Sequence, residues 1–287
     1  MKGIVLAGGL GTRLYPLTKS VSKQLLPIFD KPMIYYPIST LMLAGIKEIL
    51  IISTKYDIEN YEMLLGDGSD FGCTFKYEVQ EEPKGLAEAF IIGEEFIGND
   101  NVALILGDNF FYVSGFTSIL ESCKNPSDGI IFAIKVNNPS DYGVVDFDKD
   151  MKAKKIIEKP QNFISDYAIP GLYFYSNKVI EVAKNIKPSS RGELEISSVN
   201  QYFIDQDSLD VKILGRGATW LDTGSAKNLL LASNFVEIIQ NRQNISIGSI
   251  EEISFIKKYI SSKQLYNLSK KFNNEYGLYL KKISKDN

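Results

Sequence analysis

The sequence predicts a Rossmann-like α/β fold: a mixed, mostly parallel sheet flanked by helices, followed by a C-terminal helical annex. Three observations predict it. In the first half, short apolar runs alternate with helical patterns, the rhythm of parallel strands joined by helices. The middle packs strand-like runs close together, which adds mixed or antiparallel strands to that sheet. From about residue 243 onward the chain turns helical and Lys-rich.

In order, Ile4–Ala7 is an apolar run of buried-strand length. Pro32–Ala44 reads as a helix, with proline at its start and Gly45 just past its end. Glu48–Ser53, rich in isoleucine, is the next strand, Ile58–Leu65 a helix and Phe75–Val79 a strand. Leu86–Phe96 is helical and Val102–Leu106 a buried strand. The closely spaced middle strands are Gly129–Val136, Gly143–Phe147, Lys154–Glu158 and Tyr167–Tyr175. Helices follow at Asn177–Lys184 and Glu193–Ile204, then a strand at Leu209–Leu214 and a long amphipathic helix at Ala226–Ile239. The annex carries helices at Glu251–Phe255, Ser262–Phe272 and Glu275–Ile283. No internal repeat or long linker interrupts the chain. The 287 residues therefore divide into one large unit, residues 1–242, and an annex, residues 243–287, packed on it.

Composition narrows the chemistry. Hydrophobic residues are 44% and charged residues 23%, which is globular, and the net charge of −3 without a basic block argues against nucleic-acid binding. The chain has no histidine. That excludes Ser-His-Asp and Cys-His catalysis, H-E-x-x-H zinc sites and histidine general bases. Two distant cysteines, Cys73 and Cys123, cannot build a zinc site alone, so any metal sits on oxygen ligands and Mg²⁺ or Mn²⁺ is favoured. Two scattered cysteines, no signal-peptide pattern and no apolar run of membrane-spanning length lead us to expect a cytoplasmic protein with no membrane partner.

The first predicted strand runs into Leu6-Ala7-Gly8-Gly9-Leu10-Gly11-Thr12-Arg13-Leu14. Ligands of open α/β sheets bind outside the carboxyl ends of the strands, and glycines there let backbone N–H groups approach a phosphate. Thr12 adds a hydroxyl and Arg13, one of only four arginines, a fixed cationic fork. The loop lacks the Gly-Lys-Ser/Thr ending of a Walker A loop. It also lacks the third glycine of a dinucleotide fingerprint, since Leu14 stands there, which disfavours a dinucleotide-dependent oxidoreductase. Ser22-Lys23-Gln24-Leu25-Leu26-Pro27 then brings a second cation and an amide near the same loop.

G-G-x-G-T-R-L, then S-K-Q-L-L-P, then K-P-M-I-Y-Y-P resembles the sugar-1-phosphate nucleotidylyltransferases, along nearly the whole chain from Lys2 to about Tyr279. The run Y-Y-P-I-S-T-L-M-L-A-G-I together with W-L-D-T-G resembles the thymidylyl branch. The resemblance implies a nucleotide-diphospho-sugar transferase type of fold, dTTP and glucose 1-phosphate as substrates, Mg²⁺ as cofactor and a homotetramer. The sugar phosphate would itself attack the α-phosphorus in line and expel pyrophosphate. Such a reaction needs no protein nucleophile or general base, and a chain without histidine suffices for it.

By the same resemblance, Arg13 and Lys23 are the cations over the triphosphate and leaving group. Asp108 in L-I-L-G-D-N and Asp222 in W-L-D-T-G hold the metal. Leu6, Gly8, Gly9, Gly11, Thr12, Gln24, Gln80, Gly85 and Asn109 contact the nucleotide. Gln80 would read the pyrimidine edge, because an amide offers both a donor and an acceptor. Tyr142, Gly143, Glu158, Lys159, Ile169, Tyr173 and Arg191 form the sugar-phosphate pocket, with Lys159 and Arg191 on the phosphate. A sister enzyme using another base or sugar is the alternative, since Gln80 alone does not separate thymine from uracil. A nucleotide-sugar-binding regulator without catalysis is disfavoured, because Arg13, Lys23, Asp108 and Asp222 are all present.

The chain departs from the family pattern at Leu10, where relatives often have Ser, at Ile169-Pro170-Gly171 in place of V-T-G, and at Ser225-Ala226 in place of Thr-His. Near the relatives' regulatory nucleotide site, Phe110-Phe111-Tyr112-Val113-Ser114 replaces I-F-Y-G-H, and Ile256 stands where C-P-E-E-I-A-[YF]-R ends in arginine. Weak or absent feedback inhibition by a dTDP-sugar is the expectation.

Overall fold

The computed structural model describes residues 1–9 and 11–285; Leu10, one of the departures above, lies outside them. β1 (Lys2–Leu6) opens the chain and carries it into the glycine loop. A short hairpin of β2 (Pro27–Ile28) and β3 (Lys31–Pro32) precedes α1 (Tyr35–Leu43), β4 (Glu48–Ser53), α2 (Ile58–Leu65) and β5 (Thr74–Val79). Next come α3 (Glu88–Ile92), α4 (Glu94–Ile97), β6 (Val102–Leu106), β7 (Asn109–Tyr112), α5 (Phe116–Glu121), β8 (Gly129–Lys135), β9 (Gly143–Phe147) and β10 (Ala153–Glu158). The second half adds β11 (Tyr167–Ala168), β12 (Leu172–Tyr175), α6 (Val179–Asn185), α7 (Ile196–Asp205), β13 (Leu209–Ile213), β14 (Thr219–Asp222) and α8 (Ala226–Gln243). The annex holds α9 (Ile250–Ile256), α10 (Ser262–Ser269) and α11 (Glu275–Ile283).

Ten strands form one mixed sheet in the order β10-β9-β11-β8-β12-β6-β1-β4-β5, with β13 also paired to β8. β6, β1, β4 and β5 run parallel, the half that alternates with helices in sequence. β12 is antiparallel to both β6 and β8, and the closely spaced middle strands continue antiparallel from there. Apolar side chains go to both faces. Val5, Ile49, Ile51 and Ile105 pack on one side with Ile38 and Leu41 of α1; Ile4, Leu50 and Leu104 pack on the other with Phe90 of α3 and Phe203 of α7. Alternate residues of one strand thus serve opposite layers, which is why these strands read as unbroken apolar runs. Leu104 is fully buried, and its truncation to alanine would cost roughly 2–5 kcal/mol.

The differences from the sequence expectation have local causes. The helix expected from Pro32 begins at Tyr35, because Lys31 and Pro32 pair with Pro27 and Ile28 in the hairpin. The expected 86–96 helix breaks at Gly93, where a side chain would strike Ile4 Cδ1 at 2.9 Å and the Ala89 carbonyl at 3.0 Å. The expected strand 167–175 splits around Ile169-Pro170-Gly171 into β11 and β12, since proline carries no N–H for a ladder. The helix expected from Glu193 starts at Ile196, and β7 and α5 lie where the sequence predicts no element.

In the annex, Ile250 and Ile253 of α9 join the core beside α1, whereas Ile260, Leu265, Leu268 and Leu280 make a small core between α10 and α11. Ser261 caps α10 with a reciprocal Gln264 capping box. Among the described residues no helix is long and apolar enough to cross a membrane.

Candidate active site

Leu6 of β1 and Leu106 of β6 are register partners. The glycine loop and Gly107-Asp108 therefore leave the sheet side by side at its carboxyl edge, the ligand-binding edge of parallel α/β sheets. The Gly107 N–H donates to the Leu6 carbonyl at 2.9 Å, and a side chain at 107 would meet Gln24 Cγ at 2.9 Å. Gly9 and Gly11 have φ of 103° and 58°, left-handed values that glycine adopts without cost. Gly11 leads into a helical turn at Thr12–Leu14 that puts Arg13 on the outside.

Two aspartates meet at this edge. β14 pairs antiparallel with β7 so that Asp222 lies opposite Asn109, and the Asp108 carbonyl accepts from the Thr223 N–H (3.1 Å) and hydroxyl (2.8 Å). Lys23 Nζ forms an ion pair with Asp108 Oδ2. Burial alone would raise the Asp108 carboxyl, but Lys23 and the Asn109 amide hold it below the usual carboxylate range. Asp222 goes the other way: burial and then the Asp108 charge push it up, against Lys23, the Gly224 N–H and Arg13. The Arg13 guanidinium lies over Gly224, where an added Cβ would come within 2.8 Å of Nη2. Two neighbouring carboxylates, one disfavoured by the charge of the other, suit a hard divalent cation whose remaining ligands come from substrate phosphates. Among the described residues no group of three or more His, Cys, Asp or Glu could hold a metal.

A cavity of about 320 Å³ opens beside the aspartates, within the range of small-molecule sites. It is lined by Arg13, Asp108, Asn109, Tyr142, Gly143, Glu158, Lys159, Ile169, Tyr173, Arg191 and Asp222 of the expected residues. Backbone bonds fix its rim: the Ile169 N–H donates to Gly143 (2.8 Å) and the Lys159 N–H to Tyr142 (3.0 Å). Lys159 has φ of 44°, an uncommon value for a side-chain-bearing residue. Burial, followed by the Glu195 charge, raises the Glu158 carboxyl, while Lys159 and Arg191 oppose the rise. Arg191 is held by Glu195, with Nη2 to Oε1 at 2.8 Å, and by Glu193 at 3.3 Å.

Lys23, Gln24, Gln80 and Gly85 lie outside that lining. Lys23 reaches the aspartates through its ion pair. Gln24 is buried, its Oε1 accepting from Ser22 at 3.0 Å. Gln80 follows β5, and its N–H donates to the Ser53 carbonyl, while the Ser53 hydroxyl donates to the Ala7 carbonyl. A side chain at Gly8 would strike Gln80 Oε1 at 2.6 Å. Gly85, with φ of 110°, makes its close approach to the backbone of Leu194, whose N and O would stand 2.5 and 2.4 Å from an added Cβ. Asn109 is buried with its amide committed: Oδ1 accepts from the Gly171 N–H (2.9 Å) and Trp220 Nε1 (2.6 Å), and Nδ2 donates to Asp108 Oδ1 (3.1 Å).

Sequence reasoning missed several cavity residues. Trp220 packs its ring 4.8 Å from that of Tyr142; its signal is its place inside W-L-D-T-G, two residues before Asp222. Glu193 and Glu195 line the wall beside Arg191, and the alternation E-L-E was their signal. Asn200, also on the wall, accepts from Tyr175 Oη at 2.5 Å, a pairing with no local sequence signal.

The fold and the polar cavity at the carboxyl edge of its sheet fit a nucleotide-handling transferase, and a family model described as nucleotidyl transferase matches residues 2–238. The chain is 54% identical to a glucose-1-phosphate thymidylyltransferase of Neisseria meningitidis, over 99% of this chain and 100% of that protein. It is 53% identical to one of Mycolicibacterium smegmatis, over 98% of each. A Bacillus anthracis protein assigned as a glucose-1-phosphate thymidylyltransferase, solved with sucrose, superposes with TM-score 0.76 at 37% identity, over 82% of this chain and 94% of that one. A UDP-glucose pyrophosphorylase solved with UDP-glucose gives TM-score 0.72 at 26% identity, over 83% and 98%. The chain belongs to the glucose-1-phosphate thymidylyltransferase family.

Proposed function

We propose that this chain transfers the thymidylyl group of dTTP to α-D-glucose 1-phosphate, giving dTDP-glucose and pyrophosphate. The observation that carries the reading is the pairing of β14 with β7, which sets Asp222 beside Asp108 between the glycine loop and the polar cavity. In this reading the glycine loop and Gln80 hold the nucleotide, and Glu158 accepts from glucose hydroxyls. Lys159 and Arg191 draw the sugar phosphate toward the α-phosphorus, and Arg13 and Lys23 offset the charge of the triphosphate. Asp108 and Asp222 would hold Mg²⁺, which when bound would act as a Lewis acid and offset phosphate charge. The sugar phosphate is already anionic, so the protein's contribution is alignment and charge compensation. Asn109 supports this by orienting Asp108 from one side and fixing Trp220 and the Gly171 backbone from the other.

A cytoplasmic location and a homotetramer are part of the same proposal. The free, buried thiols Cys73, pushed up to about 12 by burial, and Cys123 suit a reducing compartment. α8 leaves Leu230, Leu231 and Ile238 exposed, apolar surface that subunit contact would cover. Weak feedback inhibition is also proposed, since Ile256 stands 61% exposed on α9 where the family pattern has a cation.

Incubation with dTTP, glucose 1-phosphate and Mg²⁺, followed by ³¹P NMR, tests the reaction. The expected result is pyrophosphate and a nucleoside diphosphate sugar in equal amounts. Thymidine monophosphate with pyrophosphate, and no sugar nucleotide, would overturn transfer to sugar.

A further inference from the structure

We infer that Glu88 is the positioning residue that sets the site against cytosine, because it locks the Gln80 amide in one of its two orientations. The inference rests on the reading of Gln80 as the base contact given above.

A carboxamide turned by 180° exchanges donor for acceptor at almost no cost in shape, so an unconstrained glutamine can serve either hydrogen-bond pattern. Gln80 is constrained. It is buried, with 6% of its surface exposed, and Nε2 donates to Glu88 Oε2 at 2.7 Å. The same carboxylate oxygen accepts the Lys84 N–H at 3.2 Å. Two donors thus converge on Glu88 from α3's own leading loop and from the end of β5. An ionised carboxylate only accepts. With the amide reversed, Gln80 Oε1 would face Glu88 Oε2, two acceptors in contact without a proton between them.

The lock fixes what Gln80 presents elsewhere. Oε1 lies against Gly8, so close that a Cβ there would meet it at 2.6 Å. One Nε2 hydrogen is taken by Glu88 and the second is left for a ligand. The amide therefore offers an acceptor beside one donor. Thymine and uracil carry an N3–H flanked by carbonyls and match that order. Cytosine carries an acceptor at N3 and a donor at its exocyclic amine, and would need the reversed amide that Glu88 forbids. The same lock leaves thymine and uracil alike.

The test compares kcat/KM for dTTP and dCTP, with glucose 1-phosphate saturating, in the wild type and in Glu88→Leu, Glu88→Ala and Glu88→Gln. Glu88→Leu and Glu88→Ala free the amide, and the dTTP:dCTP ratio should fall about 10- to 100-fold, chiefly through faster dCTP use, with the KM for glucose 1-phosphate unchanged. Glu88→Gln should keep most of the ratio, because its carbonyl can still accept from both Gln80 and Lys84. A melting temperature for each variant identifies any that does not fold, and the remaining variants then carry the comparison. A ratio within twofold of wild type in folded Glu88→Leu or Glu88→Ala overturns the inference. So does an equal loss with both nucleotides, which a merely structural role would produce. A wild type that does not use dTTP with glucose 1-phosphate at all would instead overturn the proposed function.

Discussion

At the scale of single residues, the site is an arrangement of charge. Asp108 and Asp222 face each other's charge, and Lys23 and Arg13 offset it. Asp108→Asn preserves shape but removes that charge. We expect turnover to fall by about 10²–10³-fold or more, with a melting temperature close to wild type, as circular dichroism would show; unchanged turnover would remove the metal assignment. Gln80→Ala should raise the KM for dTTP about 10-fold or more and leave that for glucose 1-phosphate unaltered in steady-state kinetics. Glu158 gives a pH prediction. Burial and the nearby Glu195 raise its carboxyl above the ordinary glutamate range. On acidification it gains a proton earlier than an ordinary glutamate and loses its acceptor charge. The KM for glucose 1-phosphate should therefore climb as the pH falls toward that range, and Glu158→Gln, already neutral, should show a flatter profile in the same titration.

At the scale of elements, the glycine loop, Gln80 and the aspartates sit on strand ends whose order in the sheet is non-local. The strands and the glycine loop were legible because apolar runs and glycines are local signals. That L-I-L-G-D and W-L-D-T-G meet was legible only through resemblance; their meeting depends on β14 pairing with β7, and β7 does not stand out in sequence. The Asn109 network and the Glu88 lock were not legible, because each joins residues whose separation carries no period. Gly85 shows the same limit: nothing local in the sequence foretells that the Leu194 backbone stands against it. Gly85→Ala combines a left-handed φ with that contact and should cost about 1–3 kcal/mol, measured by urea unfolding. It should also loosen the Arg191 loop, since Leu194 and Lys84 share a backbone hydrogen bond of 2.6 Å.

At the scale of the whole molecule, the proposed reading divides the labour of one mixed sheet, with the nucleotide at the ends of β1, β4 and β5 and the sugar among the antiparallel strands. The aspartates stand where the two halves join. Buried charge elsewhere serves the fold: Lys31, 3% exposed, bonds Asp30 and Gln240 and lies over the Tyr276 ring, tying the β2–β3 hairpin to α8 and the annex. The relative reactivity of triphosphates probes this division of labour across the sheet. Pyrophosphate release would be measured with glucose 1-phosphate and Mg²⁺ for dTTP, UTP, CTP, GTP and ATP in turn, with and without EDTA. Turnover with dTTP, poor use of CTP and of both purine nucleotides, and loss of all turnover with EDTA are expected. Equal turnover with every triphosphate, or full activity in EDTA, would contradict this reading.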